Sequence, residues 1–182
     1  MRRHRPLSLG TAVRRAVVVA TVRDGGQVAL RLQVPWAEGL HARWMPGASM
    51  EEFLVRTTNQ NSAAFARDLA QVERSVERTT RLSADHDAPR TFPRWQWPSS
   101  SEVQDALRRE LMSRLADGAQ FAHLSRLPAS TELVLGREPA AIRLQLPDFL
   151  GPALLTVYRP TEQWLRPGQI SAPTGVQRSV PR

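Results

Sequence analysis

Apolar and polar positions recur along this chain in a pattern that places strands at both ends and helices in the middle. Near the start, 16–23 is valine-rich and 27–34 alternates cleanly. There Val28, Leu30, Leu32 and Val34 point one way, and Ala29, Arg31 and Gln33 point the other. A period of two marks a half-buried strand. Asp24-Gly25-Gly26 between the two segments is a hairpin signal, because glycine takes the positive φ of a tight turn at no steric cost. The two segments are expected to pair antiparallel.

The pattern changes to a helical period over 49–82. Met50, Leu54, Thr58, Asn61, Phe65, Leu69, Val72, Val76 and Thr79 fall on one side at about 100° per residue. Ser49 and Glu52 have capping-box spacing, so a helix can start there. Unbroken, it would run about 50 Å at 1.5 Å per residue. The weak point is 57–62, TTNQNS, whose side chains compete for the backbone and favour caps over helix interiors. A break there would split the helix in two.

A second helix is better marked. Ser99 and Glu102 repeat the capping box; Val103, Leu107, Leu111 and Leu115 lie four apart; Gly118 supplies a C-terminal cap. A short third helix is predicted over 119–127, stopped by Pro128. Residues 35–46 read as a loop, and 85–101, with Pro89, Pro93, Pro98 and the serines at 99–101, as a surface linker. The last third returns to strand patterns at 131–135, 142–146 and 153–159, followed by a helical turn at 161–165 that presents Trp164.

Strands and helices are therefore segregated, which predicts an α+β domain. Its antiparallel sheet would combine the N-terminal hairpin with a C-terminal three-strand meander, packed by one long and one shorter helix. This single domain spans 11–166, between a basic arm at 1–10 and a Pro/Gly/Ser-rich tail at 167–182.

Charge adds a second layer. The chain has 182 residues and a net charge of +8; all 25 basic residues are arginine. Coding bias toward arginine, alanine, proline and leucine is the plain explanation. Guanidinium forks that grip phosphate or carboxylate are the functional one. With no cysteine, disulfides and thiol chemistry are excluded. No stretch reaches the roughly 18 apolar residues of a membrane span. The basic start, with Arg2, Arg3, Arg5, Arg14 and Arg15, resembles an organelle presequence, and Arg14-Arg15 a twin-arginine signal. The apolar run that follows is short and β-branched, so a strand behind a basic arm in a soluble intracellular protein is expected.

Opposite the apolar stripe of 49–82 lie Arg56, Arg67, Arg74, Arg78 and Arg81. With Arg90 and Arg94 they form a candidate face for nucleic acid or another polyanion. Trp95 and Trp97, interleaved with arginine, are candidate partner-binding residues, since tryptophan and arginine dominate interface hot spots. Both sets have an ordinary reading. A face opposite a buried stripe must be polar, and large aromatics commonly close over a core.

Gly39-Leu40-His41-Ala42-Arg43 resembles the phosphorylated-histidine motif of the HPr phosphocarrier family. That resemblance implies a phosphoryl-carrying His41 assisted by Arg43. It covers five residues, and Trp44-Met45-Pro46 stands where the family continues with Pro-Ala. Leu135-Gly136-Arg137-Glu138 is similar to the early part of a forkhead-associated domain, whose following Ser-x-x-His is replaced here by Pro147-Asp148-Phe149-Leu150. Asp85-His86-Asp87 offers metal-type ligands without a second cluster at ligand spacing. No nucleophile elbow, phosphate loop or dinucleotide fingerprint occurs. No catalytic residue, cofactor or metal is assigned.

These features predict a non-catalytic, arginine-rich structural or binding subunit of a larger assembly, of virion, secretion or nucleoprotein type, touching nucleic acid or another polyanion. The alternatives are a protein–protein adaptor or homo-oligomer without a nucleic-acid role, and a small enzyme whose site is assembled from distant residues.

Overall fold

The computed structural model describes residues 16–116 and 126–160. The basic arm, the cap at Gly118, most of the predicted 119–127 helix, the turn with Trp164 and the tail lie outside the described residues.

Strand β1 (Ala16–Arg23) and strand β2 (Gln27–Pro35) form the expected hairpin, with Val17 opposite Gln33 and Val22 opposite Val28. Gly25 and Gly26 both have positive φ in the turn. Gly26 is further constrained: a Cβ there would collide with the backbone of Arg137. The turn is tied down there by the Leu135 amide, which donates to the Gly26 carbonyl at 2.9 Å.

Ala16, Val18, Ala20, Val22, Val28, Leu30, Leu32 and Val34 are all buried on one face of the hairpin. Each buried Leu or Val contributes about 1.5–3 kcal/mol relative to exposure. Among the described residues, four helices cover this face: α1 (Trp36–Trp44), α2 (Met50–Thr58), α3 (Ser62–Thr79) and α4 (Ser100–Leu115). Their buried residues include Trp36 and Leu40, Phe53 and Leu54, Phe65, Leu69, Val72 and Val76, and Val103 and Leu107. The α+β class, a sheet packed by helices, is as the sequence predicts.

Several details differ. The predicted loop at 35–46 is helix α1. Pro35 and Pro46 bracket it and Gly39 sits inside it, which hid it from the pattern. Gly39 lies against Leu150, where an added Cβ would be 3.7 Å from that side chain. That is an ordinary van der Waals distance to the neighbouring turn, Asp148–Leu150, so the packing would tolerate alanine, and Gly39 costs the helix roughly 1 kcal/mol.

The long helix is broken. The Asn61 carboxamide accepts from the amides of Ala63 and Ala64 at 2.9 and 3.4 Å and so starts α3. On the other side, the Thr58 hydroxyl and the Asn59 carboxamide donate back to the carbonyls of Leu54 and Val55 at 2.8 and 2.9 Å. Helix α3 then stops at Thr79, and β3 (Arg81–Ala84) follows.

The three C-terminal strands do not form a meander. β5 (Arg126–Val134) pairs antiparallel with β2, β6 (Ile142–Gln145) pairs with β3 in a separate two-stranded sheet, and β7 (Ala153–Tyr158) runs parallel to β1. The main sheet has the order β4-β5-β2-β1-β7 and is mixed, with β4 (Trp95–Gln96) supplied from the predicted linker. Pro128 lies inside β5 instead of ending a helix. The β4 pairing reaches only Ser130 and Thr131, so among the described residues Pro128 has β2 as its sole neighbour strand, and no ladder bond is withheld from β4. The 85–101 stretch also buries Phe92 and contributes the first residues of α4.

Among the described residues, no helix is long and apolar enough to cross a membrane.

Candidate polyanion-binding face

Helix α3 buries Phe65, Leu69, Val72 and Val76, so the residues opposite them face solvent. Arg67, Gln71, Arg74 and Arg78 occupy that face, and all are exposed. Their spacing of 4, 3 and 4 keeps them in one line, and Arg67 to Arg78 covers about 16 Å of helix axis at 1.5 Å per residue. The Arg78 Nε donates to the Arg74 carbonyl at 3.3 Å, which lays its side chain along the helix and places a cation at the negative end of the dipole.

None of these three arginines makes an ion pair among the described residues. Among those residues, four arginines outside α3 do. Arg108 pairs with Asp105 at 2.7 Å, Arg114 with Glu110 at 3.2 Å, Arg137 with Asp87 at 3.2 Å, and Arg159 with Glu138 at 3.5 Å.

Glu73 and Glu77 flank the row and are half-buried. The Glu77 carboxylate accepts from the Trp97 indole N–H at 2.9 Å. The Glu73 carboxyl is pushed above its ordinary range, first by burial and then by repulsion from Glu77, against the opposing pull of Arg74.

The remaining predicted arginines are distributed unevenly. Arg81, half-buried, opens β3, and its guanidinium donates to the Thr80 carbonyl at 3.2 Å. Arg90 meets the same strand, exchanging backbone hydrogen bonds with Leu82 at 2.9 and 2.8 Å. These two therefore sit close together just past the end of α3. Arg56 is exposed on α2, off the row, because of the break at 59–61. Arg94 belongs to the opposite layer. It lines a hollow of about 540 Å³ on the open face of the sheet with Val19, Thr21, Ala29, Arg31 and Gln96. The sequence reading missed this hollow, although the alternation in β2 marked Ala29 and Arg31, which help to floor it.

Trp95 and Trp97 are half-buried and stacked, with centroids 5.1 Å apart and planes 13° off parallel. Trp97 packs edge-on against buried Trp36 at 6.1 Å, and Trp95 against Phe92 at 5.8 Å. The pair covers the core and leaves part of each ring in solvent.

The two short motif resemblances have local explanations. His41 lies on α1, where its Nε2 is 2.8 Å from the Ala48 carbonyl and its ring meets Phe53 edge-on at 5.4 Å. Gly136 takes a positive φ in the turn after β5. Asp85 and Asp87 receive the Arg137 guanidinium, and Asp85, at a positive φ, also accepts from the Ala141 amide at 2.9 Å. Among the described residues no group of three His, Asp or Glu side chains is arranged to hold a metal.

Compared with protein-family models, curated proteins and solved structures, the chain matches none.

Proposed function

We propose that this chain is a binding subunit of a nucleic-acid-containing assembly and that it meets the phosphate backbone with the exposed face of α3. The supporting observation is the line of Arg67, Arg74 and Arg78, exposed on one face of a single helix and free of ion pairs among the described residues, where Arg108, Arg114, Arg137 and Arg159 are each held by a carboxylate. Guanidinium groups in a row suit a repeating phosphate, and backbone contacts need no base readout. Arg81 and Arg90 extend the basic surface beyond the helix end.

The test is binding to mixed-sequence duplex DNA and RNA across a salt series, read by fluorescence anisotropy. Duplex affinity is expected to fall steeply with salt, with a slope of about −0.9 for each phosphate neutralised. Substituting Arg67→Gln, Arg74→Gln and Arg78→Gln together should make that slope shallower by about 3. Undetectable binding at low salt, or a slope unchanged in the triple variant, would overturn the reading.

The exposed outer strand of the sheet favours a second role in protein association.

A further inference from the structure

β7 is the last strand of the main sheet, and its outer side has no partner among the described residues. Exposed edges of this kind are normally blunted by charge, proline or brevity. The opposite edge follows that rule: β4 has two residues between Pro93 and Pro98. β7 does not. Ala153–Tyr158 contains no charged residue, and prolines occur only outside it, at 152 and 160. Its large side chains are exposed on both faces of the sheet: Leu154 55%, Leu155 38%, Val157 45% and Tyr158 55%.

We propose that β7 pairs antiparallel with β7 of a second copy, joining two sheets across a two-fold axis. A free strand edge accepts another strand, and three observations favour this chain's own. First, the strand is self-complementary in one register. Centred on Thr156, the pairing sets Leu154 opposite the second copy's Tyr158, Leu155 opposite its Val157, and the two Thr156 hydroxyls against each other. Aliphatic–aromatic, β-branched and Thr–Thr pairs are the cross-strand combinations that stabilise sheets. Centring on Leu155 instead sets Tyr158 opposite Pro152, outside the strand and without an amide to donate.

Second, each copy carries a net charge of +8, and this edge lets two of them approach without setting like charges face to face. In the Thr156 register, Arg159 falls opposite Ala153, and it is already paired with Glu138 at 3.5 Å. Third, the two-residue β4 offers too little edge for head-to-tail growth, so the contact closes as a dimer. The axis stands perpendicular to the sheet, which keeps the two helical layers on the same side.

The register makes the proposal testable in a protein with no cysteine of its own. Directly opposed residues in an antiparallel pair have Cα atoms about 4.5–5.5 Å apart, within disulfide range. Thr156→Cys should therefore give a disulfide-linked dimer under mild oxidation, while Gln71→Cys on the exposed face of α3 should not. Sedimentation of the full chain should show a dimer. Leu154→Lys with Tyr158→Lys puts like charges across the axis and should yield a folded monomer, with folding checked by circular dichroism. Leu154→Lys with Tyr158→Glu puts opposite charges there and should restore the dimer. A monomeric wild-type chain would overturn the proposal, as would a dimer indifferent to these substitutions or the lack of a Thr156→Cys cross-link. Monomer would also be the result if β7 is covered by another protein or by a segment of the same chain.

Discussion

Glu73 is half-buried on α3, one turn from Glu77 and next to Arg74, and its carboxyl titrates above the ordinary range mainly because it is partly removed from water. The sign of the consequence follows from linkage. Its folded pKa lies above the unfolded one, so between the two values the folded state binds more protons, and stability falls as pH rises through that window. At neutral pH the ionised side chain is a net cost. Glu73→Gln should therefore raise the melting temperature at pH 7, and the gain should shrink as pH drops through the carboxylate range. Thermal melts of both proteins at pH 4 and pH 7 check this; an equal gap at both pH values would assign the effect to shape and not charge. The sequence showed that Glu73 and Glu77 flank the arginines. It could not show that Glu77 is engaged by an indole twenty residues away, since that contact is tertiary. The Asp85-His86-Asp87 triplet is a parallel case: its acids serve a turn and Arg137, which only the folded chain brings near.

The boundary between α2 and α3 shows how side chains decide element ends. The run at 57–62 was legible as a weak point because Thr and Asn compete with the helix backbone. What makes the break durable lies on α4. Gln104 is buried, and its Nε2 donates to the carbonyls of Thr57 and Gln60 at 3.4 and 3.0 Å. The end of a helix leaves carbonyls without intrahelical partners, and burying them unpaired is costly. Gln104→Leu keeps the size and removes the donor, so it should destabilise the protein by about 1–3 kcal/mol. Urea unfolding measures this; a change within error would mean that water replaces the amide. α1 shows the opposite problem. Its buried Trp36, Ala37 and Leu40 have helical spacing, but nine residues between prolines, with a glycine inside, gave too short a period to outweigh the breakers.

At the scale of the molecule, the N-terminal hairpin was legible because its pairing is local, and the helical cover because its apolar faces are periodic. Strand partners farther apart were not. β5 belongs beside β2, about a hundred residues away, and β7 beside β1 in parallel. Alternation specifies which residues face the core but not which strand lies alongside. Placement likewise decides between the two explanations of the arginine content. If the charge is only compositional, any exposed arginines contribute equally to polyanion binding. If α3 carries the contact, position matters. Arg108 and Arg109 are exposed on α4, Arg108 paired with Asp105, and Arg143 is exposed on β6. Replacing Arg108, Arg109 and Arg143 with Gln lowers the net charge by the same three units as replacing Arg67, Arg74 and Arg78. The α3 triple variant should lose its salt-dependent duplex binding, and the comparison triple should keep most of it, since interactions between exposed charges fade beyond about 8–10 Å at physiological salt. Anisotropy titrations of the two variants side by side, at equal ionic strength, read the difference directly. Equal losses would assign the binding to net charge and remove α3 as its site.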